Sequence, residues 1–144
     1  MKGEGERILL DQLNFAGHDF ETEYRFEPAR KWRADFYFAL ANLIVEIEGI
    51  GYGRSVSRHQ IGYGYESDCE KYNAIINKGI SLFRFTPNMV KGSGRRRSVK
   101  NRIMEPAIDT IDRFVLGEKH FEKIDRSRQG YVKDFMEKNA KKRR

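Results

Sequence analysis

The residues best suited to chemistry are three carboxylates. Asp35 lies in the aromatic segment WRADFYF at 32–38, and Glu46 and Glu48 lie in NLIVEIE at 42–48. Side chains on a strand alternate faces, so Leu43, Val45 and Ile47 would share one side and Ile44, Glu46 and Glu48 the other. The two glutamates then point the same way, roughly 7 Å apart along the strand. The continuous Leu-Ile-Val run marks this strand as buried on both faces. Like charges at its end are costly to desolvate and repel each other. A divalent cation resolves both problems, and Asp35 on the preceding strand could reach the same spot. Hard carboxylate oxygens in a small ligand set suit Mg²⁺, with Mn²⁺ able to substitute, better than zinc. The alternative is an exposed strand end whose acids pair with Arg30, Lys31 or Arg33.

The elements that must position these acids follow from periodicity. Ile8, Leu9, Leu13 and Ala16 recur at helical spacing over 4–16, and Gly17 is a natural stop. FETEYRF at 20–26 alternates as a half-buried strand, 32–38 is a second strand and 42–48 a third. A glycine-rich loop is expected from Gly49 to Gly64, a helix over 66–78 closed by Gly79, and a strand over 80–85 ended by Thr86-Pro87. The order α-β-β-β-α-β is that of a layered α/β domain. Beyond it lie a basic linker at 92–97, a helical stretch over 98–115 interrupted at Pro106, and a polar segment at 118–144.

Composition narrows the partners. The net charge is +7, but residues 91–144 hold 17 Lys+Arg against 8 Asp+Glu, a net of +9, whereas residues 1–90 sum to −2. A near-neutral body with a basic C-terminal third suggests a polyanion, most simply nucleic acid; the bland alternative is a solubilising tail. No apolar run approaches the length of a membrane span, and the N-terminus lacks a signal-peptide layout. The single cysteine, Cys69, leaves no disulfide framework or zinc cluster within one chain and fits a reducing cytoplasm. His18 and His120 have no evident ligand partners.

These residues resemble the PD-(D/E)XK nuclease superfamily, and within it the archaeal-type Holliday junction resolvases and small phage-encoded nucleases. The likeness spans residues 3–90. It is carried by Glu6-Arg7 on a first helix ending at Gly17, by Asp35 followed by Glu46-Ile47-Glu48, and by SRHQ and YESDCEKYNAIINKGISLFRFT downstream. The resemblance implies a restriction-endonuclease-like core at 1–91, a central mixed sheet flanked by helices, with a basic helical extension at 92–144 that packs on the core and contacts DNA. It implies a metal held by Asp35, Glu46, the carbonyl of Ile47 and Glu6. It also implies a homodimer that resolves four-way junctions by paired nicks, leaving 5′-phosphate and 3′-hydroxyl ends, in the host cytoplasm if phage-encoded. Glu48 departs from the pattern, since the family usually has lysine there. Glu48 could act as base or hold a second metal, and Lys71 on the following helix is the candidate replacement lysine. Lys71 could instead form a surface ion pair with Asp68.

Expected DNA contacts are Arg30, Lys31 and Arg33 beside Asp35; Arg54, Arg58 and His59 in the glycine-rich loop; and Arg95, Arg96, Arg97, Lys100 and Arg102 along the backbone. Glu23 could approach the metal, although a surface role suits it better, and Trp32 reads as packing. Two other readings stay open: a restriction- or repair-type endonuclease acting on duplex DNA, and a DNA-binding module with a decayed nuclease core.

Overall fold

The computed structural model describes residues 3–49, 58–92 and 105–117, with side chains of the second segment described from Gly62 onward. Its elements are α1 (Glu4–Phe15), β1 (Glu21–Tyr24), β2 (Ala34–Phe38), β3 (Leu43–Ile47), α2 (Arg58–Asn77), β4 (Ser81–Phe85), α3 (Pro87–Lys91) and α4 (Ala107–Leu116). The expected α-β-β-β-α-β order is present as far as β4. The chain divides into two compact units, Asp19–Arg84 and Met1–His18 with Phe85–Arg144.

The first of these carries the sheet, whose strand order is β1-β2-β3-β4. β1 pairs antiparallel with β2, and β2 with β3 through Phe36–Val45, Tyr37–Ile44 and Phe38–Leu43. Leu43, Ile44 and Val45 are fully buried, so β3 is covered on both faces as its apolar run implies. On one face Ile44 packs with Phe26, Ala34, and Tyr72 and Ile75 of α2. On the other, the Phe20 ring meets Phe36 and Phe38 at 5.8 and 5.9 Å. Glu23 has a φ of 53°, which breaks side-chain alternation in β1. Tyr24 thereby stacks on Tyr37, with ring centroids 4.0 Å apart. Trp32 packs against Phe26 at 6.1 Å, as expected of a structural tryptophan.

Helix α2 corrects the loop reading. It starts at Arg58, so Gly62 and Gly64 are helical rather than part of a loop. Residues 62–68 are exposed, and this half-helix has no apolar face for periodicity to reveal. Residues 50–57, the rest of the expected loop, lie outside the described residues.

The other unit packs α1, α3 and α4 together. Leu9, Leu13, Val90, Ile108 and Ile111 are fully buried in it. Gly17, at φ 73°, ends the α1 region as expected. Thr86-Pro87 does more than end a strand. The Thr86 hydroxyl accepts from the Met89 amide at 3.3 Å, Pro87 takes the first helical turn, and Gly92 closes α3 in the left-handed conformation. α4 begins directly after Pro106. Gln12 donates to the Val90 carbonyl at 3.3 Å, Lys91 pairs with Glu4 at 2.9 Å, and buried His18 meets buried Asp112. No helix among the described residues is long and apolar enough to cross a membrane.

Candidate active site

The β2–β3 register, carried one residue past Phe36–Val45, sets Asp35 beside Glu46 on the face covered by α2. Asp35 Oδ2 accepts from the Ile47 amide at 2.7 Å, which ties the carboxylate to the end of β3. Glu46 is 6% exposed. From α2, Lys71 brings its Nζ to 2.7 Å from Glu46 Oε1 and donates to the Arg33 carbonyl at 2.6 Å. Glu46 Oε1 takes the Lys71 ammonium as its ion-pair partner at 2.7 Å, so one of the lysine's N–H groups faces this oxygen and another the Arg33 carbonyl.

The electrostatics of Glu46 follow. Burial drives its carboxyl up to about 7; Lys71 opposes the rise, while Asp35 and Glu48 add to it. A carboxylate poised there exchanges its proton near neutrality, which is a common property of functional acids.

Glu48, one step beyond β3 on the same face, is held differently. Its Oε1 accepts from the Tyr72 hydroxyl of α2 and from Arg84 Nε of β4, the latter at 2.7 Å. Burial raises its carboxyl, but the bonds from Arg84 and Tyr72 outweigh that effect and leave it below the usual carboxylate range. Burial and the bond to Glu48 push the Tyr72 hydroxyl up, so it remains a proton donor at neutral pH. The Arg84 guanidinium lies 4.0 Å above the Tyr72 ring, and its bond to Glu48 raises its own pKa.

The fold therefore brings together Asp35, Glu46, Glu48 and Lys71. Lys71 pairs with Glu46 rather than with Asp68. The partners expected of an exposed strand end are engaged elsewhere: Arg30 with Glu70 at 2.8 Å and over the Trp32 ring at 4.4 Å, and Arg33 with Glu23 at 3.9 Å. Lys31 is exposed. Glu6 stands on α1, in the other unit. Arg54, Arg95, Arg96, Arg97, Lys100 and Arg102 lie outside the described residues, as do the side chains of Arg58 and His59.

Tyr72 and Arg84 join the candidate site through Glu48, and the sequence alone does not single them out. The available signal was Arg84 itself, a charge within the apolar strand LFRF, with an unpaired acid on a neighbouring strand.

Among the described residues, no three His, Cys, Asp or Glu side chains converge as a metal cluster. The donor set on this face is two carboxylates, Asp35 and Glu46. That set fits Mg²⁺, which binds through one or two carboxylates and keeps several waters. Such an ion would share Glu46 with the Lys71 ammonium, which stands 2.7 Å from Oε1.

No family model matches the chain, and no curated protein matches it. Among solved structures, the chain is similar to one titled "Homing Endonuclease I-Bth0305I Catalytic Domain", at a TM-score of 0.53 and 15% identity. The match covers 80% of this chain and 96% of that one. At that identity the likeness is one of fold: this chain has the α/β fold of an endonuclease catalytic domain.

Proposed function

We propose that the chain is a Mg²⁺-dependent DNA endonuclease with its centre at Asp35, Glu46 and Lys71, acting on four-way junctions. The observation that carries the reading is Lys71. A lysine from α2 reaches Glu46, next to Asp35, in a chain whose strand position 48 lacks the lysine usual in the superfamily it resembles. The endonuclease-like fold and the basic C-terminal third support DNA as substrate.

Asp35, Glu46 and the Ile47 carbonyl would hold the ion, and Mn²⁺ can replace Mg²⁺. When bound, the ion polarises the scissile phosphate and acidifies water. Lys71 keeps Glu46 aligned through its charge and through the Arg33 carbonyl. Its ammonium carries three donors, so one remains to orient water or a phosphate oxygen. Glu48 is too acidic and too firmly held to serve as base; its part is to hold Arg84. Arg30, Lys31 and Arg33 supply phosphate contacts that fix register rather than sequence. Two symmetric nicks need two centres, so the active form is proposed to be a homodimer.

The test is cleavage of a labelled four-way junction and of a matched linear duplex, each with and without Mg²⁺. Paired nicks in the junction alone support the resolving activity. Equal cutting of the duplex supports the second reading, a restriction- or repair-type endonuclease. Tight binding without cutting in Mg²⁺ or Mn²⁺ leaves a DNA-binding module and ends both enzyme readings.

A further inference from the structure

We propose that Arg84 is a phosphate-binding residue, holding a DNA phosphodiester beside the Asp35–Glu46–Lys71 centre, with Glu48 and Tyr72 positioning it. The proposal rests on the nuclease reading for the location of the DNA, but the anion contact is testable on its own.

Three observations carry it. Arg84 uses Nε for Glu48, which leaves the outer fork of the guanidinium directed away from that bond. The side chain is 45% exposed despite lying on a strand whose neighbours Leu82 and Phe83 are half-buried. It also borders an open groove of about 750 Å³ between α2 and β4, so an incoming anion can reach it.

The arrangement is more than a surface ion pair needs. Half-exposed ion pairs contribute little to stability, and a flexible arginine would satisfy Glu48 equally well. Here the guanidinium carbon stands over the Tyr72 ring, 4.0 Å from its centroid, while Glu48 accepts from Nε at 2.7 Å. Both contacts restrict the plane of the group, and a fixed fork is what bidentate phosphate recognition requires. The charge balance agrees. Glu48 lacks the cationic side chain expected at its position, yet it recruits one from the next strand. The lysine's charge is thus supplied in two parts, by Lys71 from α2 and by Arg84 from β4.

DNA binding in EDTA tests this without any turnover. Affinity of the full chain for a labelled four-way junction is measured over a range of KCl concentrations for wild type, R84A, R84K and E48A. Losing one phosphate contact should weaken binding of R84A about tenfold and reduce the slope of log K against log salt by about one. R84K should recover the slope but only part of the affinity. E48A should keep the slope and lose affinity, because the charge remains and its placement does not. Thermal melting of each variant separates these effects from folding, and R84K serves if R84A does not fold. An R84A protein with unchanged affinity and slope overturns the proposal, as does a wild type that fails to bind DNA. A wild type that binds, shows the R84A slope change, and does not cut in Mg²⁺ or Mn²⁺ instead sinks only the nuclease reading.

Discussion

At the residue scale, Glu46 sets the pH behaviour. Its folded carboxyl titrates near 7 against an ordinary 4.5, so the folded protein binds the proton more tightly than the unfolded chain. Below 4.5 both states are protonated and the group is neutral to stability. Between 4.5 and about 7 the unfolded chain has released a proton that the folded one keeps, so stability falls as pH rises. The full penalty at higher pH is on the order of 3 kcal/mol. Glu46→Gln should therefore be more stable than wild type in urea at pH 8 and nearly equal to it at pH 4.5. A difference that does not vary with pH contradicts this assignment. The same proton must leave before a cation binds, so cleavage should increase as pH rises through about 7, with the midpoint moving down as Mg²⁺ is raised.

Two neighbours of Glu46 yield separate expectations. Asp35→Asn retains an oxygen to accept from the Ile47 amide, so its melting temperature should stay close to wild type while Mg²⁺-dependent cleavage is lost and junction binding persists. Cleavage at the wild-type rate excludes Asp35 from the centre. Lys71→Met removes the charge that lowers the Glu46 pKa. Its pH–rate profile should shift upward and its turnover fall about a hundredfold. Unchanged turnover would take Lys71 out of the reaction.

At the element scale, the site is a meeting of strand ends with one helix. β2 and β3 bring the acids into one row by antiparallel register, and α2 answers with Lys71, Tyr72 and Ile75 on the side that covers Ile44. That face order was legible from the alternation of Ile44, Glu46 and Glu48. Helix α2 was only half legible, because residues 62–68 are exposed and show no apolar face. Helix α3 was overlooked because five residues are too few for a periodic pattern, although its cap chemistry stood in the sequence as Thr86, Pro87 and Gly92. Thr86→Ala should cost about 1 kcal/mol through the lost cap bond to Met89. A change below a few tenths in a urea titration would show that Pro87 and the buried Val90 hold the turn without it.

At the scale of the whole molecule, the basic C-terminal third is expected to divide between a packed helix and a DNA-contacting tail. α4 belongs to a core with α1 and α3, since Ile108 and Ile111 are fully buried. Residues 118–144 carry 10 Lys+Arg against 5 Asp+Glu. Truncation after Gly117 should weaken junction binding and flatten its salt dependence. Truncation after Lys91 should also destabilise the fold, because it removes α4. Equal DNA affinity after the shorter cut shows that the tail is not a contact.

The sequence by itself determined the acids, their common face, the element order and the asymmetric charge. These are local or periodic properties, written in residues next to or two apart from one another. Only the tertiary structure decided which cations meet those acids. Lys71 and Arg84 reach Glu46 and Glu48 from elements 25 and 36 residues downstream, across distances that no local spacing encodes. Arg30, Lys31 and Arg33 are closer in sequence, yet Arg30 and Arg33 pair with other acids and Lys31 faces solvent. Sheet register and the packing of α2 over Ile44 choose the partners.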